Sequence, residues 1–397
     1  MTLESALQIT PVVVVLGARQ TGKTTMVRAV PALSGHRYFN LDEFDVRAQA
    51  LEQPDALAHR APAMVVDEVQ RAPDLLLAIK RIVDEQRQPG RFVLTGSANL
   101  LMMERIGDSL SGRATYVTLA PMTRRELLGR GTTGRWPDLV ESRPDQWIEL
   151  LSSDPRPDRD WRNVVRIGGF PVPALELASH EQRSIWLEGY VQTYLERDLP
   201  RIRAIEDLIE FRRFMRAASL RVGSMLNLTE LGRDVGTSQP QASRYLGVLE
   251  ASFLAHRVEA YSVNRTKRLI QTPKLYWADT ALAMHLAGEQ EARGEHFENM
   301  VAADLLAWRG VDSTRPNILY WRTHTGIEVD FVIEVAGRLL PIEVKSARRA
   351  VPSDARALEI FLDEYPDLTD GGLFLHDGDE VFSLTSRVVA APWWRVL

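Results

Sequence analysis

Gly17-Ala18-Arg19-Gln20-Thr21-Gly22-Lys23-Thr24 is the stretch whose reading decides the fold. It spells G-x-x-x-x-G-K-[ST], the pattern of a loop that wraps phosphate oxygens in backbone N–H groups. Pro11-Val12-Val13-Val14-Val15-Leu16, just before it, is a β-branched apolar run of buried-strand length. Thr25-Met26-Val27-Arg28-Ala29-Val30, just after it, can open a helix. Strand, glycine loop and helix N-terminus together form an anion site, because N–H groups and the positive end of the helix dipole converge there. The expected nucleotide contacts are therefore Gly17, Ala18, Arg19, Gln20, Thr21, Gly22, Lys23, Thr24 and Thr25. Lys23 should reach the β- and γ-phosphates of ATP, and the Thr24 hydroxyl should ligate Mg²⁺.

Working outward, the next strands carry the acids that such a loop needs. Arg37-Tyr38-Phe39-Asn40-Leu41-Asp42-Glu43 reads as a second strand ending in acids. Ala63-Met64-Val65-Val66-Asp67-Glu68 is an apolar strand with two carboxylates at its C-terminal end. Asp67 would hold the Mg²⁺ shell and Glu68 would orient or activate the attacking water. Leu75 to Val83 reads as a helix. Arg91-Phe92-Val93-Leu94-Thr95-Gly96-Ser97-Ala98-Asn99 reads as a strand closing in small polar residues. Thr95, Ser97 and Asn99 are candidates to sense the γ-phosphate, and Ser97 is taken as the contact. Thr115 to Leu119 is another strand. Strands alternating with helices imply a parallel sheet with nucleotide at its C-terminal edge. Arg113 is either a finger reaching a neighbour's γ-phosphate, which implies a homo-oligomer, or a surface arginine.

Composition sets bounds on the rest. At 397 residues there is room for two or three domains, and 45% apolar with 25% charged residues is ordinary globular usage. No apolar run reaches the ~18 residues of a membrane helix. Met1-Thr2-Leu3-Glu4-Ser5 lacks the basic start of a signal peptide, and the chain has no cysteine. Both fit a cytoplasmic protein. A net charge of −5 excludes a wholesale nucleic-acid coat, so any such contact is a local basic patch.

A family resemblance joins these pieces. Gly17 to Thr25, Val65-Val66-Asp67-Glu68-Val69-Gln70, Leu94-Thr95-Gly96-Ser97 and Ser109-Leu110-Ser111-Gly112-Arg113 resemble a widespread prokaryotic AAA-type ATP-binding family. So do Gly168-Gly169-Phe170-Pro171, Tyr194 to Asp198, Pro273 to Asp279, Phe297-Glu298-Asn299 and Glu328-Val329-Asp330-Phe331. The resemblance spans nearly the whole chain. It implies an ATPase domain followed by a C-terminal domain of unknown function.

Gly129 to Trp161 holds Pro137, Pro144, Pro155 and Pro157 among many Asp, Arg and Gly, which marks a domain boundary or loop. Residues 181–220 have helical spacing in Trp186, Tyr190, Tyr194 and Leu195, with Arg197, Arg201, Arg203, Arg212, Arg213 and Arg216 crowded among acids. They form either a solvated face with internal ion pairs or the source of an arginine for a neighbouring ATP site. Leu226 to Ile270 reads as a winged helix-turn-helix. Leu228 to Val235 is a short helix, Gly236 the turn, Ser238 the cap of a second helix to Ala251, and Phe253 to Tyr261 a strand. Arg265, Lys267 and Arg268 form a basic tip, and Leu275-Tyr276-Trp277 the return strand. One basic residue, Arg244, on the presumed recognition helix is thin for base readout. The expectation is therefore packing, or phosphate contact at the tip without sequence preference.

Glu295 to Trp308 has helix spacing, and Ile318 to Arg322 reads as a strand. Ile327 to Val335, the turn Ala336-Gly337 and a strand from Arg338 read as a hairpin with Ile327, Val329, Phe331, Ile333 and Val335 on one face. Pairing Val335 with Arg338 sets Asp330 opposite Glu343 and Glu328 opposite Lys345. Carboxylates directly opposite repel, and Lys345 or a divalent ion such as Mg²⁺ or Mn²⁺ would compensate. Asp330, then Glu343-Val344-Lys345, with Glu298 on a preceding helix, resembles the restriction-endonuclease-like core. The resemblance implies that Asp330 and Glu343 hold metal and that Lys345 positions water or steadies the phosphate.

The expected architecture is α/β throughout. A P-loop AAA-type parallel sheet fills 1–130, a linker 131–160, a helical and winged-helix region 161–290, and a nuclease-like α/β domain 291–397. The expected function is ATP hydrolysis coupled to a metal-dependent nuclease-like end acting on nucleic acid, DNA more than RNA. The alternative is a nucleotide-gated binding module that cuts nothing.

Overall fold

The computed structural model describes residues 3–96, 110–131, 133–152, 160–194 and 207–397. Ser97, Asn99, Arg197, Arg201 and Arg203 lie outside the described residues.

Five short strands form a parallel sheet: β1 (Val12–Leu16), β2 (Arg37–Asn40), β3 (Met64–Asp67), β4 (Phe92–Thr95) and β5 (Ala114–Thr118). Their spatial order is β2-β3-β4-β1-β5. β1 and β3 are not neighbours. β4 lies between them, so its last residue, Thr95, comes level with Val15 of β1. The alternating side chains of β1 feed two apolar layers: Val12, Val14 and Leu16 face one, Val13 and Val15 the other. A strand buried on both faces reads as an unbroken apolar run, as Val12 to Leu16 does.

The second sheet has eight strands. Six come from the C-terminal third: β8 (Asn317–Arg322), β9 (Glu328–Val335), β10 (Arg338–Val344), β11 (Gly372–His376), β12 (Phe382–Ser383) and β13 (Val388–Pro392). Two come from the middle region, β6 (Ala255–Ala260) and β7 (Lys274–Trp277), which pair antiparallel. β6 also pairs parallel with β8, Glu259 against Leu319. The full order is β12-β13-β11-β10-β9-β8-β6-β7, with β7 at one edge. Middle and C-terminal regions therefore share one sheet.

Three expectations change. The stretch 131–160 is not a plain linker. Helices Trp136–Glu141 and Pro144–Ser152 bury Trp136, Leu139, Trp147 and Leu151 in the core of the second sheet. Their apolar spacing was hidden among prolines and charges. The basic tip between β6 and β7 is a helix, Arg265–Ile270, and Arg268 is buried with both terminal nitrogens on Glu334, at 2.7 and 2.9 Å. Only Arg265 and Lys267 of that basic trio stay exposed. Third, the β9–β10 hairpin does not have one polar face. Phe331 and Ile333 enter one apolar layer, while Val329 and Val332 enter the opposite one under helix Arg356–Glu364. A register shift against β8 between Leu319 and Trp321 moves Val329 across.

The hairpin register itself is Arg338 with Val335 through Ile342 with Phe331. Ala336 and Gly337 turn it with φ of 50° and 79°, both left-handed, as a two-residue turn requires.

Candidate functional site

Two clusters of charged groups stand out. The first lies at the C-terminal ends of β1, β3 and β4. Gly17 has φ +152°, and a Cβ there would run into the Leu119 carbonyl. Gly22 starts helix Lys23–Ala29 in the left-handed region, φ 91°. The glycines thus let the chain turn back on itself tightly enough to cup an anion. Thr21 Oγ1 donates to the Ala18 carbonyl at 2.9 Å, inside the loop. Lys23 is buried, with Nζ donating to the Gly17 carbonyl at 3.0 Å and the Ala18 carbonyl at 2.6 Å. Its ammonium therefore sits across the loop mouth. Gln20 and Thr25 are exposed, and Arg19 is half-buried.

Asp67 ends β3 and is buried. Thr24 Oγ1 donates to its Oδ2 at 2.7 Å, and Tyr38 OH donates to the same oxygen at 2.5 Å. Thr95 Oγ1 donates to Oδ1. The Thr24–Asp67 pair is a set of hard oxygens of the kind that suits Mg²⁺ with its water shell, so the residues fit that ion. Glu68 follows with φ 59°, left-handed for a residue with a side chain. Such a conformation costs ~1–3 kcal/mol and turns the carboxylate away from the strand line. Burial first, then the Asp67 charge, push its pKa up, which suits a group that must accept a proton. Gln70 Nε2 donates to Glu68 Oε2.

Of the three sensor candidates, Thr95 is the one the described residues bring to Asp67. Tyr38 was missed as a site residue: its position two residues before Asn40 on β2 carries no motif, and only the β2–β3 pairing brings it there. Arg28 stacks over the Tyr38 ring at 4.2 Å. Arg113 is placed elsewhere. It precedes β5 beside Val12, at the opposite end of the sheet, and pairs with Asp84 at 2.5 and 3.0 Å. Arg212 pairs with Glu188 at 2.5 Å.

The second cluster lies where β7, β9, β10 and helix Gly294–Val311 meet. Glu298, Glu328, Asp330 and Glu343 come together. The Val344 N–H donates to Asp330 Oδ2 at 2.8 Å. Burial, then Glu298 and Glu343, raise the Asp330 pKa well above the ordinary carboxylate range. Burial raises Glu343 to about 7, against the pull of Lys345. Glu343 Oε2 is buried with no hydrogen-bond partner among the described residues. Lys345 lies 4.0 Å from Glu343 and 3.3 Å from Asp354, not against Glu328.

The residue absent from the sequence reading of this cluster is Lys274. It is 2% exposed, on β7. Its Nζ lies 2.9 Å from Glu298 Oε1, 2.5 Å from Glu328 Oε1 and 3.7 Å from Asp330 Oδ1. Burial pulls its pKa down, but the attraction of Glu298, Asp330 and Glu328 outweighs that and leaves it raised. Tyr276 OH also donates to Glu298 Oε1. Among the described residues no three His, Cys, Asp or Glu side chains form a ready metal cage. Asp330 and Glu343, with the unbonded Glu343 oxygen, are still a hard-oxygen pair that fits one divalent ion completed by water.

The two clusters are joined by packing. Ala18 of the phosphate loop shares an apolar core with Phe170 and Tyr190. A Cβ at Gly22 would lie 3.7 Å from Pro171. The Gly169 N–H donates to Asp279 Oδ2 at 2.6 Å, and the same carboxylate caps helix Thr280–Ala287 through Leu282 N–H at 2.8 Å. Asp279 stands two residues past β7, at the end away from Lys274.

Residues 10–128 match the model of an AAA domain. Residues 158–293 and 293–396 match two domains of unknown function, DUF8612 and DUF4143. The uncharacterized protein Rv2008c of Mycobacterium tuberculosis is 30% identical over 406 residues, covering 100% of this chain and 83% of its own length. This chain belongs to the family of Rv2008c. The chain combines an AAA-type P-loop ATPase domain with a C-terminal DUF4143 domain. An uncharacterized protein of Haemophilus influenzae is 22% identical over 357 residues, covering 83% of this chain and 81% of its own. A solved Walker-type ATPase of Pyrococcus abyssi covers 72% of this chain and 93% of its own, at 16% identity and a TM-score of 0.46. No helix among the described residues is long and apolar enough to cross a membrane.

Proposed function

We propose that the chain hydrolyses ATP at the phosphate loop and uses nucleotide state to control the acid cluster of the C-terminal domain. Lys23 and loop N–H groups hold the β- and γ-phosphates. Thr24 and Asp67 hold Mg²⁺, which supplies charge neutralisation on the phosphates when bound. Glu68 orients the attacking water and takes its proton. The coupling rests on one observation: Asp279 binds the Gly169 segment that buttresses the loop, and Lys274, on the strand just before it, binds the acid cluster.

At the cluster, we read Asp330 and Glu343 as ligands of one Mg²⁺ or Mn²⁺, with Glu298 beside them and Lys345 facing the phosphate. The substrate class is a nucleic-acid phosphodiester, DNA before RNA. The hairpin register from Val335–Arg338 to Phe331–Ile342 supports this restriction-endonuclease-like reading. Helices Leu228–Val235 and Gln239–Ala251, turned at Gly236 and followed by β6 and β7, support a winged-helix arrangement used for packing. A homo-oligomer would bring an arginine of a neighbouring chain to the γ-phosphate.

A second reading is favoured by Lys274 itself. An ammonium that already satisfies three carboxylates suits a cluster that binds a partner and cuts nothing. Labelled DNA and RNA incubated with Mn²⁺, with and without ATP, decide between them. Cleavage by wild type that disappears in Asp330→Ala, with ATP hydrolysis retained, supports the first. Intact polymer under every condition leaves the second.

A further inference from the structure

The cation inside the acid cluster belongs to the chain itself. Lys274 Nζ is within 2.9 Å of oxygens of both Glu298 and Glu328 and 3.7 Å from Asp330 Oδ1. Tyr320 closes one side, its ring centroid 5.7 Å from Nζ. A divalent ion of the Mg²⁺ class needs oxygen donors at about 2.1 Å in near-octahedral array. Oxygens turned toward an ammonium at hydrogen-bond distance do not offer those lone pairs to a metal. Two cations among the same carboxylates also repel each other, strongly in so buried a setting.

The strand that carries Lys274 is held from several sides, so the ammonium is fixed among the acids. β7 has four residues and pairs with β6 on one side; on the other, Lys274 is bridged to Met225, the Leu275 N–H donates to the Ser224 carbonyl at 3.2 Å and the Leu275 carbonyl accepts from the Gly223 N–H at 2.8 Å. Two side chains of helix Gly294–Val311 seat it: Glu298 takes Lys274 and Tyr276, and Asn299 takes the Trp277 N–H at 2.7 Å and its carbonyl at 3.0 Å. Beyond its other end Asp279 is tied to Gly169 on the nucleotide side.

We propose that Lys274 is an internal cation that competes with a divalent ion for the acid cluster. Metal affinity is then set by whether the Lys274 ammonium stays among the acids. With Lys274 in place, Glu298, Glu328 and Asp330 are satisfied without metal. With Lys274 withdrawn, Asp330 and Glu343 take a hard divalent ion. The inference rests on reading the cluster as a metal site, but its test does not pass through cleavage.

The test is Mn²⁺ binding by full-length protein without nucleotide, followed by loss of the EPR signal of free aqueous Mn²⁺. Lys274→Met should bind Mn²⁺ at least about ten-fold more tightly than wild type, since one neighbouring positive charge is gone. Lys274→Met combined with Asp330→Asn should lose that gain, which separates this site from the Asp67 site. Equal or weaker binding by Lys274→Met overturns the inference. If Lys274→Met is unfolded in EDTA, millimolar Mn²⁺ should restore its melting transition, and failure to do so also overturns it. A wild-type protein that cuts nothing, alongside a gain in Lys274→Met, removes the cleavage reading and leaves this one standing. Cleavage by wild type with no gain removes this one alone.

Discussion

The phosphate-loop site and the acid cluster each set a buried lysine near buried carboxylates, but they assemble differently. In the first, Lys23 belongs to the loop it serves and bonds to the carbonyls of Gly17 and Ala18, six and five residues before it. In the second, Lys274 arrives from a strand of the middle region, 24 to 56 residues before the acids it binds. The first is a local device: a short stretch of backbone makes the anion site whatever surrounds it. The second exists only because β6 pairs with β8 and carries β7 to the C-terminal sheet. A local site fails one residue at a time, whereas a convergent one is coupled to the packing of every element that feeds it.

The sharpest way to break this contrast is at the loop. Lys23→Ala should abolish tight ATP binding, and Glu68→Gln should keep binding while hydrolysis falls ~10²–10⁴-fold, the usual contribution of a positioned base. Fluorescent-nucleotide titration and phosphate release measure the two. A Glu68→Gln protein that turns over at the wild-type rate would exclude Glu68 from the chemistry.

At the acid cluster the contrast predicts coupling instead. Lys274→Met should cost about 3–5 kcal/mol in urea unfolding with EDTA, because it leaves several carboxylates buried without their cation. Glu298→Gln should cost less alone. The double variant should fall short of the sum by ~1 kcal/mol or more, since the two share one interaction. Strict additivity would make them independent.

Tyr38 sharpens the first half. Tyr38→Phe removes one of three hydroxyl donors from Asp67, a bond to a charged acceptor worth ~1.5–3 kcal/mol. Affinity for ATP should weaken about ten-fold with Mg²⁺ and stay unchanged with ATP in EDTA. Equal loss in both would mean general disorder of the loop rather than a role at the metal ligand.

The smallest effect concerns a buried acid outside both clusters. Asp304 accepts from Gly134 N–H at 2.7 Å and Trp136 Nε1 at 2.5 Å, and its Oδ2 has no partner among the described residues. Burial raises its pKa to about 6, against those two bonds. The folded state therefore binds this proton more tightly than the unfolded chain does, and the group's contribution improves as pH falls through 6 toward 3.8. At pH above 7 the buried charge is a cost. Asp304→Asn should accordingly raise the melting temperature at neutral pH, by ~1–2 kcal/mol of stability, with the gain fading in acid. A gain that does not change with pH would place the effect in packing.

The sequence by itself determined the phosphate loop, the Asp67-Glu68 strand end, the parallel first sheet and the register of the β9–β10 hairpin. Each is encoded by neighbours in the chain: a glycine spacing, an apolar run, a two-residue turn that permits one pairing. The tertiary structure decided what those stretches meet. It brought Tyr38 and Thr95 onto Asp67 through strand pairing, and placed Arg113 against Asp84 at the far end of the sheet. It drew Trp136 and Trp147 out of a proline-rich stretch into the C-terminal core, and set Lys274 among the acids. These contacts join residues tens to hundreds of positions apart, and no local period or spacing records them. They follow from which apolar faces bury one another, a property of the whole chain.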